Sequence, residues 1–203
     1  MAAPAAPRQV LYDAAVPAAL VVLLLGSSAT RAAAIHGGAD PVRVGVVFGL
    51  VVGIGALALP EVRAGLRTRP SRAGLVLGAA LGVLLLLPGL WLSLRGYPSH
   101  PAGLAGVGLV TWAPAVTLVA VVEEVAFRGA LQPRLRRFAG PGPALVLSAI
   151  VFAAIHLPLY GAAALPLDIG VGLLLGALRE RTGSVAGCAL AHVIADLGYW
   201  WVA

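Results

Sequence analysis

Six residues in the second half of this 203-residue chain could do chemistry together: Glu123, Glu124, Arg128, His156, His192 and Asp196. Glu123 and Glu124 are adjacent inside the apolar stretch Leu118–Phe127, and Arg128 follows the second acid by four residues. Helical spacing of four puts Glu124 with Arg128, and His192 with Asp196, on one face. Acids and histidines around one cavity supply what peptide hydrolysis needs: a base to activate water, donors for the oxyanion, and an acid for the leaving amine. Glu123 takes the base role in this reading, since Arg128 neutralises Glu124 and no basic partner stands at helical spacing from Glu123. His156 and His192 are left to position water, to donate to the oxyanion or to bind a metal. No His-Glu-x-x-His zinc motif occurs, so the preferred reading requires no cofactor. If a divalent metal such as zinc is held, Glu123, His156 and His192 are the expected ligands.

These residues must be carried by membrane helices. The chain is 60% hydrophobic and 11% charged, and its apolar runs match the roughly 20 residues that cross a hydrocarbon core. The expected fold is an all-α polytopic transmembrane bundle of about seven helices: Leu11–Ala29, Val42–Leu59, Ala73–Leu94, Leu109–Leu131, Leu145–Tyr160, Ala162–Leu178 and Val185–Val202. Charges at membrane depth cost several kcal/mol each unless paired or hydrated, which makes the cluster a functional site by default. Depth adds a test that spacing cannot. Glu123, His156 and His192 lie 11, 13 and 11 residues from the expected boundaries at Arg134, Pro143 and Arg181. At the helical rise this is about 16 to 20 Å for each, so three helices present polar groups at one level.

All 14 basic residues are arginine. Arg8, the group Arg63, Arg67, Arg69 and Arg72, the group Arg134, Arg136 and Arg137, and the pair Arg179 and Arg181 fall in alternate connections. The other side holds Arg31, Arg43 and Arg95 in its loops. The positive-inside rule then expects the amino terminus in the cytoplasm and the carboxyl terminus outside. Arginines spread over short loops read as an orientation signal, and no nucleic-acid partner is expected. Gly26-Ser27-Ser28-Ala29 resembles a signal cleavage region, but a retained first helix fits the charge pattern. One integral-membrane domain is expected over 1–203, with scaffold helices in 1–103 and the polar chemistry in 104–203. Turns are expected at Gly96–Pro101 and Gly140–Pro143. Trp91, Trp112, Trp200 and Trp201, with Tyr97 and Tyr199, form an interfacial belt. His36 and His100 are solvated, Cys188 is a small buried group, and Asp168 is a candidate satellite of the site. Glu180 reads as a membrane-edge charge beside Arg179 and Arg181, and Pro114, Pro158 and Pro166 either kink their helices and open room for substrate or sit where packing re-satisfies the backbone.

Glu123-Glu124-x-x-x-Arg128, Phe152-x-x-x-His156 and His192-x-x-x-Asp196 together resemble the three-motif signature of the CPBP family, the CAAX prenyl proteases and bacteriocin-processing enzymes also called Abi proteins. Glu-Glu-Val-Ala-Phe-Arg-Gly-Ala-Leu is especially similar to the family's first motif. The resemblance covers about Leu109 to Val202. It implies an intramembrane endopeptidase in which Glu123 activates the attacking water, Glu124 and Arg128 support it, and His156, His192 and Asp196 complete the site. Phe152 would shape the pocket. The family carries Asn or Asp at the last position, and an ionised Asp cannot donate to an oxyanion. Asp196 must then be protonated, orient His192, or serve a metal, which leaves glutamate and metal mechanisms both open.

The implied partners are a membrane-anchored peptide or protein and the lipid bilayer. The bias to Ala, Gly and Arg without Lys points to a bacterial inner membrane, and so to peptide maturation or carboxyl-terminal sorting rather than protein prenylation. Two other classes compete: a non-catalytic immunity or scaffold protein, and a proton or ion carrier using the same acids and histidines.

Overall fold

A computed structural model describes residues 7–95 and 107–202; the expected turn Gly96–Pro101, with Tyr97 and His100, lies outside them. The described residues form helices and no strand: α1 (Pro7–His36), α2 (Pro41–Leu57), α3 (Pro60–Leu66), α4 (Arg72–Leu84), α5 (Leu87–Leu94), α6 (Leu109–Glu124), a π-helical segment (Val125–Leu131), α7 (Gln132–Ala139), α8 (Pro141–Tyr160), a short 3-10 turn (Ala162–Ala164), α9 (Leu165–Thr182) and α10 (Val185–Val202).

Local chemistry sets many of the boundaries. The Asp40 carboxylate accepts from the Val42 and Arg43 amides at 2.8 and 3.1 Å, with Pro41 opening α2. Ser71 caps α4 by accepting from Gly74 at 3.0 Å. Side-chain oxygens there satisfy amides that have no partner inside the helix. Gly140 and Gly161 bracket α8 at φ of 79° and 76°, a region that disfavours residues with a Cβ.

The outer faces are apolar. Val22, Ile54, Val76 and Val110 are 72, 70, 67 and 87% exposed, a surface suited to hydrocarbon and not to water. Among the described residues, five helical segments are long and apolar enough to cross a membrane, and counting α2–α3, bent by 101°, makes six. This is an integral membrane protein. The seven expected segments all fall on helices, with α10 outside that count of six.

Two boundaries differ from expectation. The third segment is broken between α4 and α5, where Pro88 lacks the amide that would bond the Leu84 carbonyl. Pro166 stands in the first turn of α9 rather than kinking it, because a missing amide costs nothing there. Helix α1 runs on to His36, which places Arg31 within a helix and not in a loop. Ala32, Ala33 and Ala34 explain the extension, alanine being the best helix former.

Two seams hold the bundle. Along α4, Gly74, Gly78 and Gly82 face α10; a methyl at Gly78 would lie 2.2 Å from the Gly187 carbonyl oxygen, and one at Gly82 would lie 2.8 Å from that of Ala191. Small residues at this spacing let two backbones touch, which is how helices associate where lipid removes the hydrophobic drive. On the other side, Gly45, Gly49 and Gly53 of α2 receive Leu118, Val119 and Val122 of α6. The central core, built on Phe127, Leu131, Phe152, Ile155, Leu24 and Val52, surrounds the π segment.

Candidate active site

The acid pair ends α6, and the helix continues through the π segment into α7. Every residue from Glu123 to Leu131 except Gly129 is buried, so this stretch has no outward face. That burial explains how neighbouring glutamates, pointing about 100° apart on a helix, can both face protein. π turns replace the α hydrogen-bond pattern and recur at functional sites.

The two acids have unequal surroundings. Glu124 Oε1 accepts from Arg128 Nη1 at 3.0 Å and is 3.0 Å from His192 Nδ1. Arg128 is wholly buried, with Nη2 donating to the Gly172 carbonyl at 3.0 Å and its guanidinium 4.8 Å from the Phe152 ring centre. Arg179 Nε in turn donates to the Arg128 carbonyl at 3.0 Å, filling an acceptor that the π segment presents.

Glu123 makes no direct hydrogen bond among the described residues. Its Oε2 stands 4.0 Å from His156 Nε2 and 4.0 Å from His192 Nε2. These gaps exceed a hydrogen bond, and at such a separation the question is what sits between.

The histidine rings are fixed from behind. His156 Nδ1 is 2.8 Å from the Phe152 carbonyl oxygen, which only accepts, so a neutral ring carries its proton on Nδ1 and turns the Nε2 lone pair toward Glu123. His192 Nδ1 likewise faces a carboxylate, while its Nε2 faces Glu123 and, at 3.7 Å, Asp196 Oδ1. Phe152 packs against both imidazoles, with centroids 4.8 and 5.7 Å away. One aromatic ring thus touches Arg128 and both histidines. Ser28 of α1 adds a further tie by donating to the Ile155 carbonyl, next to His156.

All six expected residues lie in this one cluster, each within 4.0 Å of another member. Asp168, in the first turn of α9, is an electrostatic neighbour of His156 and has a buried Oδ2 without a hydrogen-bond partner. Cys188 is buried against the Leu175 carbonyl. Glu180, in the last turn of α9, accepts from Gln132 at 3.0 Å and from Arg136 on α7. Gln132 was not a sequence candidate, although it is fully buried and also donates to the Gly176 carbonyl. Its polar type inside an otherwise buried run was the available signal. Trp112 and Trp200 stack at 5.0 Å, and Trp91 and Trp201 are exposed.

Among the described residues, no three His, Cys, Asp or Glu side chains are arranged to hold a metal ion. Glu123 Oε2 stands 4.0 Å from a nitrogen of each histidine, His156 and His192.

Residues 105–198 match the family model described as Type II CAAX prenyl endopeptidase Rce1-like. The matched segment holds all six site residues and is the family that the three motifs resemble. It supports an intramembrane protease of the CAAX type. No curated protein and no solved structure was found to match the chain.

Proposed function

We propose, from the match to type II CAAX prenyl endopeptidases, that this protein hydrolyses a peptide bond in a membrane-associated peptide with water activated by Glu123. The observation that carries the reading is the inequality of the two acids. Glu124 is occupied by Arg128 and His192, whereas Glu123 faces two imidazole nitrogens across gaps of 4.0 Å. A water seated there donates one hydrogen to the Glu123 carboxylate and the other to His156 Nε2, leaving an oxygen lone pair for the scissile carbonyl.

Attack forms the C–O bond as Glu123 takes the proton. Negative charge then develops on the carbonyl oxygen. The protonated His192 ring donates Nδ1–H to Glu124 and offers Nε2–H to that oxyanion. Asp196, 3.7 Å from Nε2, holds the ring from its open side. Collapse breaks the C–N bond, and Glu123 returns its proton to the leaving amine, so the enzyme regains its starting state. Fixing the base and donors beforehand spares reorganisation at the moment of reaction.

The substrate class proposed is a bacterial peptide or protein awaiting maturation or carboxyl-terminal sorting. Mass spectrometry of membrane peptides from cells carrying the wild-type or Glu123→Gln protein tests this. An uncut precursor accumulating with the variant is expected; identical peptide populations would sink the proposal. Proton flux into liposomes that requires Glu123 without any cleavage would instead favour the carrier class.

A further inference from the structure

Arg31 stands apart from the other arginines because it points inward without a carboxylate partner among the described residues. Its Nε is buried with no hydrogen-bond partner, and its guanidinium carbon lies 5.1 Å from the centre of the buried Phe48 ring. Two fixed points locate it. A Cβ at Gly45 would lie 3.7 Å from an Arg31 terminal nitrogen and 3.9 Å from Val119 Cγ2, so the guanidinium is level with Val119. On α6, Val119 is one helical turn, about 6 Å, before Glu123. Ser28, one turn back on α1, is bonded beside His156, which gives the same offset. Glu123, Asp196 and Tyr160 are its electrostatic neighbours, and Tyr160 stacks on His156 with centroids 5.8 Å apart.

A half-buried arginine beside an acid cluster, with its Nε buried and unpartnered, is built to receive an anion. Its planar fork matches a carboxylate bidentately, and an extended peptide covers about 3.3 to 3.6 Å per residue. We propose that Arg31 is a carboxylate receptor at the Tyr160 end of the site, selecting peptides that carry a carboxylate within a few residues of the bond cut. The carboxylate is either a free chain end or an Asp or Glu side chain. This inference rests on the hydrolytic reading above for its reaction, while its binding test does not.

The test uses full-length Glu123→Gln protein in lipid nanodiscs. Three pools of amino-terminally palmitoylated peptides, randomised near the carboxyl terminus, are offered: free acids, carboxyl-terminal amides, and amides ending in a fixed Asp. Retention of each is read by mass spectrometry. The free-acid pool should be retained about tenfold over the plain amides, the worth of one charge-assisted contact. Arg31→Ala should bring that ratio to unity, and Arg31→Lys should keep part of it. Amides ending in Asp retained like free acids would assign the side-chain source; amides ending in Asp retained like plain amides would assign the chain end. Equal retention of all three pools with Arg31 in place, at any level including none, overturns the proposal, as does a preference for either carboxylate-bearing pool that survives Arg31→Ala. Cleavage by protein with Glu123 intact is scored separately, so loss of the hydrolytic reading leaves the retention ratio standing.

Discussion

The two faces of α10 are built on opposite terms. Toward α4 it meets glycines: Gly187 packs against Gly74 and Gly78 backbone to backbone, and Ile194 fills the space over Gly82. Toward α6 and α8 it projects His192, which meets Glu124, Glu123 and Phe152. The first face gains its strength from close approach and has no tolerance for added volume. The second depends on the chemical type of each group and can accept an isosteric change without losing its shape. The glycine seam fixes where α10 lies, and the polar seam uses that position.

Substitutions can pull these seams apart. Glu123→Gln should lower turnover by about a thousandfold, within the range for a lost general base, while thermal unfolding in detergent stays unchanged; a parallel fall in melting temperature would show Glu123 to be structural. Arg128→Ala should strip Glu124 of its buried partner and cost roughly 3 to 5 kcal/mol, read by denaturant unfolding, with activity lost alongside the fold. Gly78→Ala puts a methyl against a carbonyl oxygen. We expect about 1 to 3 kcal/mol of destabilisation and a drop in turnover as His192 shifts, though no catalytic group is touched. Glu61→Gln removes one charged partner of Arg134 but keeps an amide oxygen to accept from it, with the Ala130 carbonyl as a further acceptor; at the exposed Glu61 it should change stability by less than about 1 kcal/mol. Smallest of all is the effect expected of a divalent-metal chelator: cleavage measured with and without it should be equal, and inhibition reversed by added zinc would return the mechanism to a metal.

The sequence made the polar seam legible and left the glycine seam unread. Glu124 and Arg128 declare their contact by spacing, and the shared depth of Glu123, His156 and His192 needs only the helical rise. Long-range contacts are harder. Arg128 reaching the Gly172 carbonyl, or Ser28 reaching Ile155, involves backbone atoms with no residue-type signature. The π segment was invisible for another reason. Its residues are buried all round, so no polar face marks the local turn. Gly74, Gly78 and Gly82 did carry a readable period, but one that signals packing rather than chemistry. Arg31 reads as a loop residue because its charge ends the apolar run, although the alanines after it continue the helix.

Side-chain exposure rises across the cluster: 0% for Glu124, 3% for Glu123, 8% for His192, 16% for His156 and 31% for Asp196. Hydrolysis consumes one water for every bond cut, and hydrocarbon supplies none. An ionisable rim at membrane depth is costly unless wet, so the groups at the open end of this gradient require hydration. In the proposed reaction, the rim that recruits water also delivers the reagent to Glu123, and turnover is tied to how readily that wetted mouth refills.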